Sequence, residues 1–253
     1  MKTMKKILLI LAVLAFGVTT ASAQKVRVMS YNVRNGHGVD GIKDIKRCAD
    51  VINKVRPNVV AVQELDSMSR RNKKYVLGEL AQLTGYHDYY HRTIPFGGGA
   101  YGIGILSRKK ALSVDFHPLP CRREPRGLLI VEFKKYYLLC THLSLKEEDR
   151  VTSVGIIRDI VSKLDKPAFI AGDMNAKPKS KPIMEFRKFA KVLNDDTKFT
   201  ISSDKPRKCI DYILGANGSF KVTKDEVIYG VLASDHLPLY VDVKIAKQKK
   251  AKK

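Results

Sequence analysis

The sequence has few cysteines and no long apolar run beyond its N-terminal segment. Its four cysteines, Cys48, Cys121, Cys140 and Cys209, form neither a C-x-x-C pair nor the dense spacing of a disulfide scaffold. Cys48 and Cys140 lie in apolar-periodic segments typical of a core, and a single disulfide stays open. No later segment approaches about 18 uninterrupted apolar residues, so we expect no further membrane span. No internal repeat or interdomain linker is visible.

Residues 1–23 have the pattern of a secretory signal peptide. Three lysines begin the segment, an apolar stretch covers residues 7–18, and Ala21-Ser22-Ala23 provides a small-residue cleavage site. We expect cleavage before Gln24 and export of the protein to the periplasm or the cell exterior. A retained membrane anchor is the alternative, and the shortness of the apolar stretch disfavours it.

The chain is strongly basic, with 47 Lys and Arg against 25 Asp and Glu and a net charge of +22. Three of the excess lysines lie in residues 1–23 and six in residues 244–253, which leaves +13 for residues 24–243. We predict one large domain over 24–243 and a disordered tail over 244–253. The charge favours anionic partners such as nucleic acid, anionic lipid or phosphorylated small molecules, although a lysine-rich proteome would give the same composition.

Apolar periodicity predicts an alternation of strands and helices. Helices are predicted at 42–55, 75–83, 147–164 and 183–189, and strands at 25–33, 58–63, 103–106, 111–117, 128–133, 136–141, 167–171, 210–214, 222–229 and 239–243. Two strand-rich halves, each interrupted by two helices, predict two packed sheets with helices outside. The polar side chains that interrupt the apolar pattern fall mostly at strand ends, where they can converge on one rim.

The segment Gly172-Asp173-Met174-Asn175 follows a buried strand and places a carboxylate and an amide two positions apart. Strand alternation directs both side chains the same way, and the pair suits hydrolysis of a phosphate ester. Alone this segment is weak evidence for a catalytic site, because an Asn at this position more often forms a turn. Six other polar segments stand at strand ends: 30–34, 63–66, 101–108, 141–144, 210–212 and 234–238.

Taken in order, these segments resemble the endonuclease/exonuclease/phosphatase superfamily of metal-dependent phosphoesterases, over essentially the whole of residues 28–243. The resemblance implies a four-layered α/β sandwich, in which two packed mixed β-sheets are flanked by helices. It also implies hydrolysis of phosphodiester, or else phosphomonoester, bonds by metal-assisted in-line attack of water.

The resemblance implies a divalent-metal pocket at Asn32 and Glu64, with Glu64 the principal ligand. Asp235 would help to bind the metal, directly or through water. Mg²⁺ or Mn²⁺ is the expected ion, because Mg²⁺ prefers hard oxygen ligands and retains several waters.

By the same resemblance, Asp173 would orient or deprotonate the attacking water, and Asn175 would hold a phosphate oxygen. His236 would lie beside the scissile phosphate and be oriented by Asp211. An aspartate bonded to an imidazole fixes its tautomer and favours its charged form. Whether His236 acts as a base or as an electrostatic clamp stays open.

His142 is similar to the histidine of the deoxyribonuclease, sphingomyelinase and inositol-phosphatase side of the superfamily. His142 and Tyr101 would stabilise developing charge or the leaving group. Segments 63–70 and 101–108 are similar to an exported bacterial group that often has Asn where this chain has Ile103. Among several basic clusters, Arg126 is the best candidate for a substrate-phosphate contact, because its planar fork suits that task.

These expectations describe a monomeric enzyme acting on an anionic phosphate ester, either nucleic acid or a phospholipid head group. Two alternatives stay open. The chain could be a basic module that binds nucleic acid or membrane without turnover, or a nuclease-like subunit that needs a partner.

Overall fold

A computed structural model describes residues 24–247. The predicted signal peptide, residues 1–23, and the last six residues of the predicted tail lie outside the described residues. No helix within 24–247 is long and apolar enough to cross a membrane. All four cysteines, which lie inside this range, are free thiols.

The strands are β1 (Gln24–Asn32), β2 (Val59–Ser69), β3 (Asn72–Tyr75), β4 (His87–Phe96), β5 (Gly99–Ser107), β6 (Ser113–Leu119), β7 (Arg126–Glu132), β8 (Tyr137–His142), β9 (Ala168–Asp173), β10 (Lys191–Val192), β11 (Asp211–Ala216), β12 (Gly218–Val227) and β13 (Leu239–Lys247). The α-helices are α1 (Ile45–Val55), α2 (Val76–Thr84), α3 (Glu147–Val161) and α4 (Lys181–Arg187).

The strands form two mixed sheets. The first has the order β12-β13-β1-β2-β5-β4, with β3 beside β2, and the second has the order β10-β11-β9-β8-β7-β6. The pairs β1/β2 and β8/β9 are parallel, and their other neighbours run antiparallel. Helices α1 and α2 pack on the outer face of the first sheet, and α3 and α4 on that of the second. The predicted four-layered α/β sandwich is confirmed.

Alternation along the strands produces these layers. In β1, Val26 and Val28 face the core between the sheets, while Met29 and Tyr31 pack under the helices. Helix α1 buries Cys48 and Ile52 against the same outer face. Both faces of the strand are apolar because helices and the opposite sheet cover them.

The structure contains three strands that were not predicted, β3, β4 and β10, begins α1 at Ile45 and extends β13 into the predicted tail. The sequence pattern gave no strand at β4, because its residues are mostly half-exposed and show no clear alternation. The predicted tail was wrong over 244–247, where β13 continues between β1 and β12. Ile245 explains the extension, since its side chain is 4% exposed and lies in the central core.

Strand direction places the polar segments together. Strands β1, β2, β8 and β9 finish at one end of the sandwich, here called the carboxyl rim, where β7 and β11 begin. The opposite end, where β1, β2, β8 and β9 begin, is called the amino rim.

Candidate active site

Asp173 ends β9 at the centre of the carboxyl rim. Its register partners are His142, the last residue of β8, and Asp211, the first residue of β11. Gly172 precedes it with a φ of +151°, and a Cβ there would lie 1.9 Å from the carbonyl oxygen of Thr141. Only glycine lets β8 and β9 approach in this way.

Three side-chain nitrogens surround Oδ2 of Asp173. Nδ2 of Asn32 lies at 3.3 Å, Nε2 of His142 at 3.4 Å and Nε2 of His236 at 3.6 Å. Burial raises the pKa of Asp173, and His236 opposes the rise. A buried carboxylate with a raised pKa can accept a proton near neutrality, as a general base must.

His236 is held in its charged form. Its Nδ1 lies 2.9 and 3.1 Å from the two oxygens of Asp211, and Thr200 donates its hydroxyl to Asp211 at 2.6 Å. Burial alone would lower the pKa of His236, but the charges of Asp211 and Asp173 outweigh it, so the pKa rises. The predicted orientation of His236 by Asp211 is present.

His142 is held in its neutral form. Burial lowers its pKa well below the ordinary value, and Arg126 and His236 add to the effect. Its Nδ1 lies 3.3 Å from Nη1 of Arg126, and an arginine can only donate. The hydrogen of His142 is therefore on Nε2, facing Asp173.

Arg126 is 7% exposed, and its Nη1 also donates to Glu124 at 2.7 Å. Its Nε has no hydrogen-bond partner among residues 24–247. The guanidinium thus orients His142, and the predicted phosphate contact stays a prediction.

Glu64 and Asn32 meet at the rim as predicted for a metal pocket. Nδ2 of Asn32 donates to Oε1 of Glu64 at 3.0 Å. Glu64 has a φ of +61° at an irregularity between Val62 and Leu65, where β2 pairs with β5. Left-handed backbone is rare for a residue with a side chain and is concentrated at functional sites.

The predicted third ligand, Asp235, is placed near this pocket. Its Oδ2 lies 3.7 Å from Nε of Arg34, and Ser234 beside it donates to the backbone oxygen of Asn32 at 2.7 Å. Glu64 is half-buried, and its charge contributes to the raised pKa of Asp173. The carboxylates of Glu64 and Asp235 and the amide oxygen of Asn32 are the hard oxygen donors that a divalent cation such as Mg²⁺ prefers.

Asp173, Asp211 and His236 form a second group close enough to share a metal. In this group Nδ1 of His236 already contacts both oxygens of Asp211, whereas Glu64, Asn32 and Asp235 offer oxygen donors, which Mg²⁺ prefers. The oxygen pocket at Glu64 is the better metal site.

Tyr101 and Asn175 flank the centre. Tyr101 is 9% exposed, and burial, reinforced by the charge of Glu64, raises the pKa of its phenol, which therefore remains a donor. Asn175 adopts a φ of +48°, donates its backbone N–H to Asp173 at 2.8 Å and its side chain to the carbonyl of Leu143 at 2.9 Å. One side-chain N–H of Asn175 remains for a phosphate oxygen.

Arg71 stands in one of the basic clusters of the sequence, but sequence reasoning missed the cavity that it forms with Arg34 beside Glu64. The cavity has a volume of about 270 Å³ and is lined by Arg34, Asn35, His37, Glu64 and Arg71. It places two guanidinium groups beside the expected metal ligand.

Asp66 fixes the position of Arg71 in this cavity. Both oxygens of the buried Asp66 accept from Arg71 at 2.8 Å, and the guanidinium lies 4.4 Å from the ring centroid of Phe96. The sequence offered a partial signal, since Asp66 stands in a polar segment and Arg71 follows it. Their pairing required the turn between β2 and β3.

The fold and the rim together define a hydrolase that acts on phosphate esters. The model of the endonuclease/exonuclease/phosphatase family matches residues 29–236, and the chain belongs to this family of metal-dependent phosphoesterases. No curated sequence matches the chain.

Solved structures share the fold. An endonuclease/exonuclease/phosphatase from Beutenbergia cavernae DSM 12333 is 23% identical with a TM-score of 0.74, covering 87% of this chain and 72% of that one. Its counterpart from Bacteroides vulgatus is 20% identical with a TM-score of 0.74 and coverages of 88% and 100%. A mannosyl-6-phosphatase from Bacteroides thetaiotaomicron VPI-5482 is 16% identical with a TM-score of 0.68 and coverages of 86% and 99%.

Proposed function

We propose that the protein hydrolyses phosphodiester bonds of an anionic substrate with Mg²⁺ or Mn²⁺. The proposal rests on the surroundings of Asp173. Side-chain nitrogens of Asn32, His142 and His236 surround its Oδ2. Nδ2 of Asn32 also lies 3.0 Å from Oε1 of Glu64. Such a cluster offers a proton acceptor, fixed positive charge and oxygen ligands in one place.

The side chains divide the work. Asp173 orients the attacking water and takes its proton, since burial raises its pKa. The imidazolium of His236 stabilises negative charge on the phosphate, and the neutral His142 directs its Nε2–H into the same space. A cation held by Glu64, Asn32 and Asp235 would neutralise charge on the phosphate oxygens.

The cavity beside Glu64 supports an extended anionic substrate. Arg34 and Arg71 line it, and an arginine can bind a phosphate through two parallel hydrogen bonds. Nucleic acid and phosphorylated phosphoinositide head groups both offer such a second phosphate. A phosphomonoester is the alternative, in line with the name of the Bacteroides thetaiotaomicron neighbour.

Hydrolysis of bis(p-nitrophenyl) phosphate and of p-nitrophenyl phosphate tests the reaction. Activity on the diester that EDTA abolishes and Mg²⁺ or Mn²⁺ restores would support the proposal, and a preference for the monoester would replace the diester assignment. Glu64→Gln and His236→Ala should each lower kcat by about 10²-fold or more. Glu185→Gln on α4 and the exposed His117→Ala on β6 are matched controls. Full activity of either site variant would refute the assignment.

A substrate panel then separates the classes. The protein with Mg²⁺ is offered plasmid DNA, RNA, sphingomyelin, phosphatidylinositol and inositol phosphates. Nicking of plasmid at low enzyme concentration supports a nuclease, whereas release of head groups alone supports a lipid substrate.

We also propose that the protein is exported as a monomer. Cleavage before Gln24 would keep all the described residues of β1 in the mature protein. Amino-terminal sequencing and gel filtration of protein recovered from the periplasm or the medium test both points. An intact residue 1 or a dimeric elution volume would contradict them.

A further inference from the structure

The amino rim, opposite the active site, carries a concentrated positive charge. A cavity of about 580 Å³ there is lined by six cationic residues and by no carboxylate: Lys25, Arg108, Lys109, Lys110, Lys134 and Lys135. Strand β8 begins beside it at Tyr137 and ends at His142. Five strand steps of about 3.3 Å separate the two regions by about 17 Å.

The lysines of this surface lack local partners. Some exposed lysines elsewhere pair with acids, as in Lys46–Asp50 and Lys188–Glu185, and others do not; what distinguishes the amino rim is that its unpaired lysines surround one cavity without a carboxylate. Lys109, Lys110, Lys134 and Lys135 are exposed and make no ion pair within residues 24–247. Glu132, which precedes this turn, is already bound by Lys166 and Ser113. The surface therefore keeps its full positive potential.

Apolar side chains project beside these lysines. Leu112 is 63% exposed, and Val114 at the edge of the second sheet is 49% exposed. The backbone N–H of Leu112 donates to the carbonyl of Glu132 at 2.8 Å, which joins the loop before β6 to the turn between β7 and β8. Buried Phe133 and Tyr136 anchor that turn. The projecting residues thus stand on a fixed support.

We propose that the amino rim docks the protein on an anionic lipid bilayer. The lysines match lipid phosphates, and Leu112 and Val114 can enter the interface between head groups and acyl chains. The exposed aliphatic pair favours a bilayer over nucleic acid, whose backbone gives such residues nothing to enter. Strand β13 reaches the same rim, and four of the six residues after Lys247 are lysine.

Docking in this way turns the carboxyl rim away from the membrane. Lipids of the bound bilayer then lie at least the length of β8 from Asp173, and the site faces a substrate arriving from solution. This inference concerns a surface outside the active site and does not rest on the proposed phosphodiesterase activity.

Sedimentation with vesicles tests the proposal. The chain from Gln24 onward, which contains both sheets and all three apolar cores, is mixed with vesicles of phosphatidylcholine alone or with equal phosphatidylglycerol. Binding should require phosphatidylglycerol and weaken as salt shortens the Debye length below about 10 Å. Each lysine near an anionic bilayer contributes about fivefold to the affinity. Vesicle binding should therefore weaken at least about a hundredfold in the combined variant Lys109→Glu, Lys110→Glu, Lys134→Glu and Lys135→Glu.

A matched variant carries the same charge change on other exposed, unpaired lysines: Lys73→Glu, Lys146→Glu, Lys179→Glu and Lys205→Glu. It should retain most of the binding that the amino-rim variant loses. Leu112→Ser should weaken vesicle binding without changing the net charge. Equal loss in the two quadruple variants, equal binding to neutral vesicles, or rim-dependent binding of DNA without vesicle binding would each overturn the proposal.

Discussion

Asp211 accepts from His236 through both carboxylate oxygens, with Nδ1 of the imidazole 2.9 Å from Oδ2 and 3.1 Å from Oδ1. The carboxylate comes from the first residue of β11, and the imidazole from the loop before β13. Two sheets thus contribute to one charged pair, and its geometry depends on how they pack.

Asp211→Asn should lower kcat by about 10²–10⁴-fold while leaving the fold intact. The amide cannot neutralise the imidazolium, so His236 would lose both its charged form and its fixed orientation. Steady-state hydrolysis of a generic phosphodiester measures the effect, and thermal unfolding reports on folding. Asp204→Asn, on an exposed loop, is the control. An undiminished kcat would show that the pair is not used.

Divalent metal should stabilise the folded protein even without substrate. Glu64 lies among like charges that contribute to the raised pKa of Asp173, and a bound cation relieves that repulsion. Metal that binds only the folded state adds about 2.7 kcal/mol at about 100 times its Kd. Scanning calorimetry in EDTA and in Mg²⁺ measures the change in Tm.

The Glu64→Gln variant should lose most of that rise in Tm, and Glu185→Gln should keep it. An equal rise in all three proteins would place the metal elsewhere.

Much of the fold could be predicted because apolar alternation reports which faces of a strand are covered. Val28 and Tyr31 point to opposite cores, and the sequence pattern already shows both as apolar. The site residues could be predicted as a set because their segments, taken in order, resemble those of the superfamily, and His142 and Asp173 both follow predicted strands. That they are direct register partners depends on the parallel pairing of β8 and β9, which no local pattern records.

The features of the candidate site that could not be predicted depend on contacts between segments that are distant in the sequence. The neutral state of His142 follows from burial and from Arg126, which β7 delivers. The position of Arg71 follows from the buried Asp66. Polar pairs of this kind leave no periodic signal, because their partners are chosen by packing.

Gly172→Ala should lower the free energy of unfolding by about 3 kcal/mol or more. A Cβ at this position would meet the carbonyl of Thr141 at 1.9 Å, and the φ of +151° disfavours any side chain. Urea unfolding measures the loss. Gly155→Ala in α3 is the control, since nothing lies within 4 Å of its added Cβ. That variant should gain about 0.5–1 kcal/mol from its greater helix propensity. Comparable stability of the two variants would mean that the packing of β8 against β9 does not depend on a glycine at position 172.

In EDTA, His142 should lower the stability of the protein as the pH drops below about 6.5, against an opposite contribution from Asp173, whose raised pKa makes the folded state take up a proton. Burial beside Arg126 lowers the pKa of the folded His142, whereas in the unfolded chain this imidazole titrates near about 6.5. Below that pH the unfolded chain binds a proton at His142 that the folded protein rejects, so His142 alone lowers the free energy of unfolding by up to about 1.4 kcal/mol per pH unit. His142→Gln removes this proton. Between about pH 6.5 and about pH 5, urea unfolding should therefore show the variant gaining stability relative to the unsubstituted protein as the pH falls. Above about pH 7 the free energies of unfolding of the two proteins should change with pH in the same way, because His142 is neutral in both the folded and the unfolded chain. The same pH dependence of stability in both proteins below about pH 6.5 would mean that His142 is protonated in the folded protein. Its hydrogen bond from Arg126 could then not exist as described.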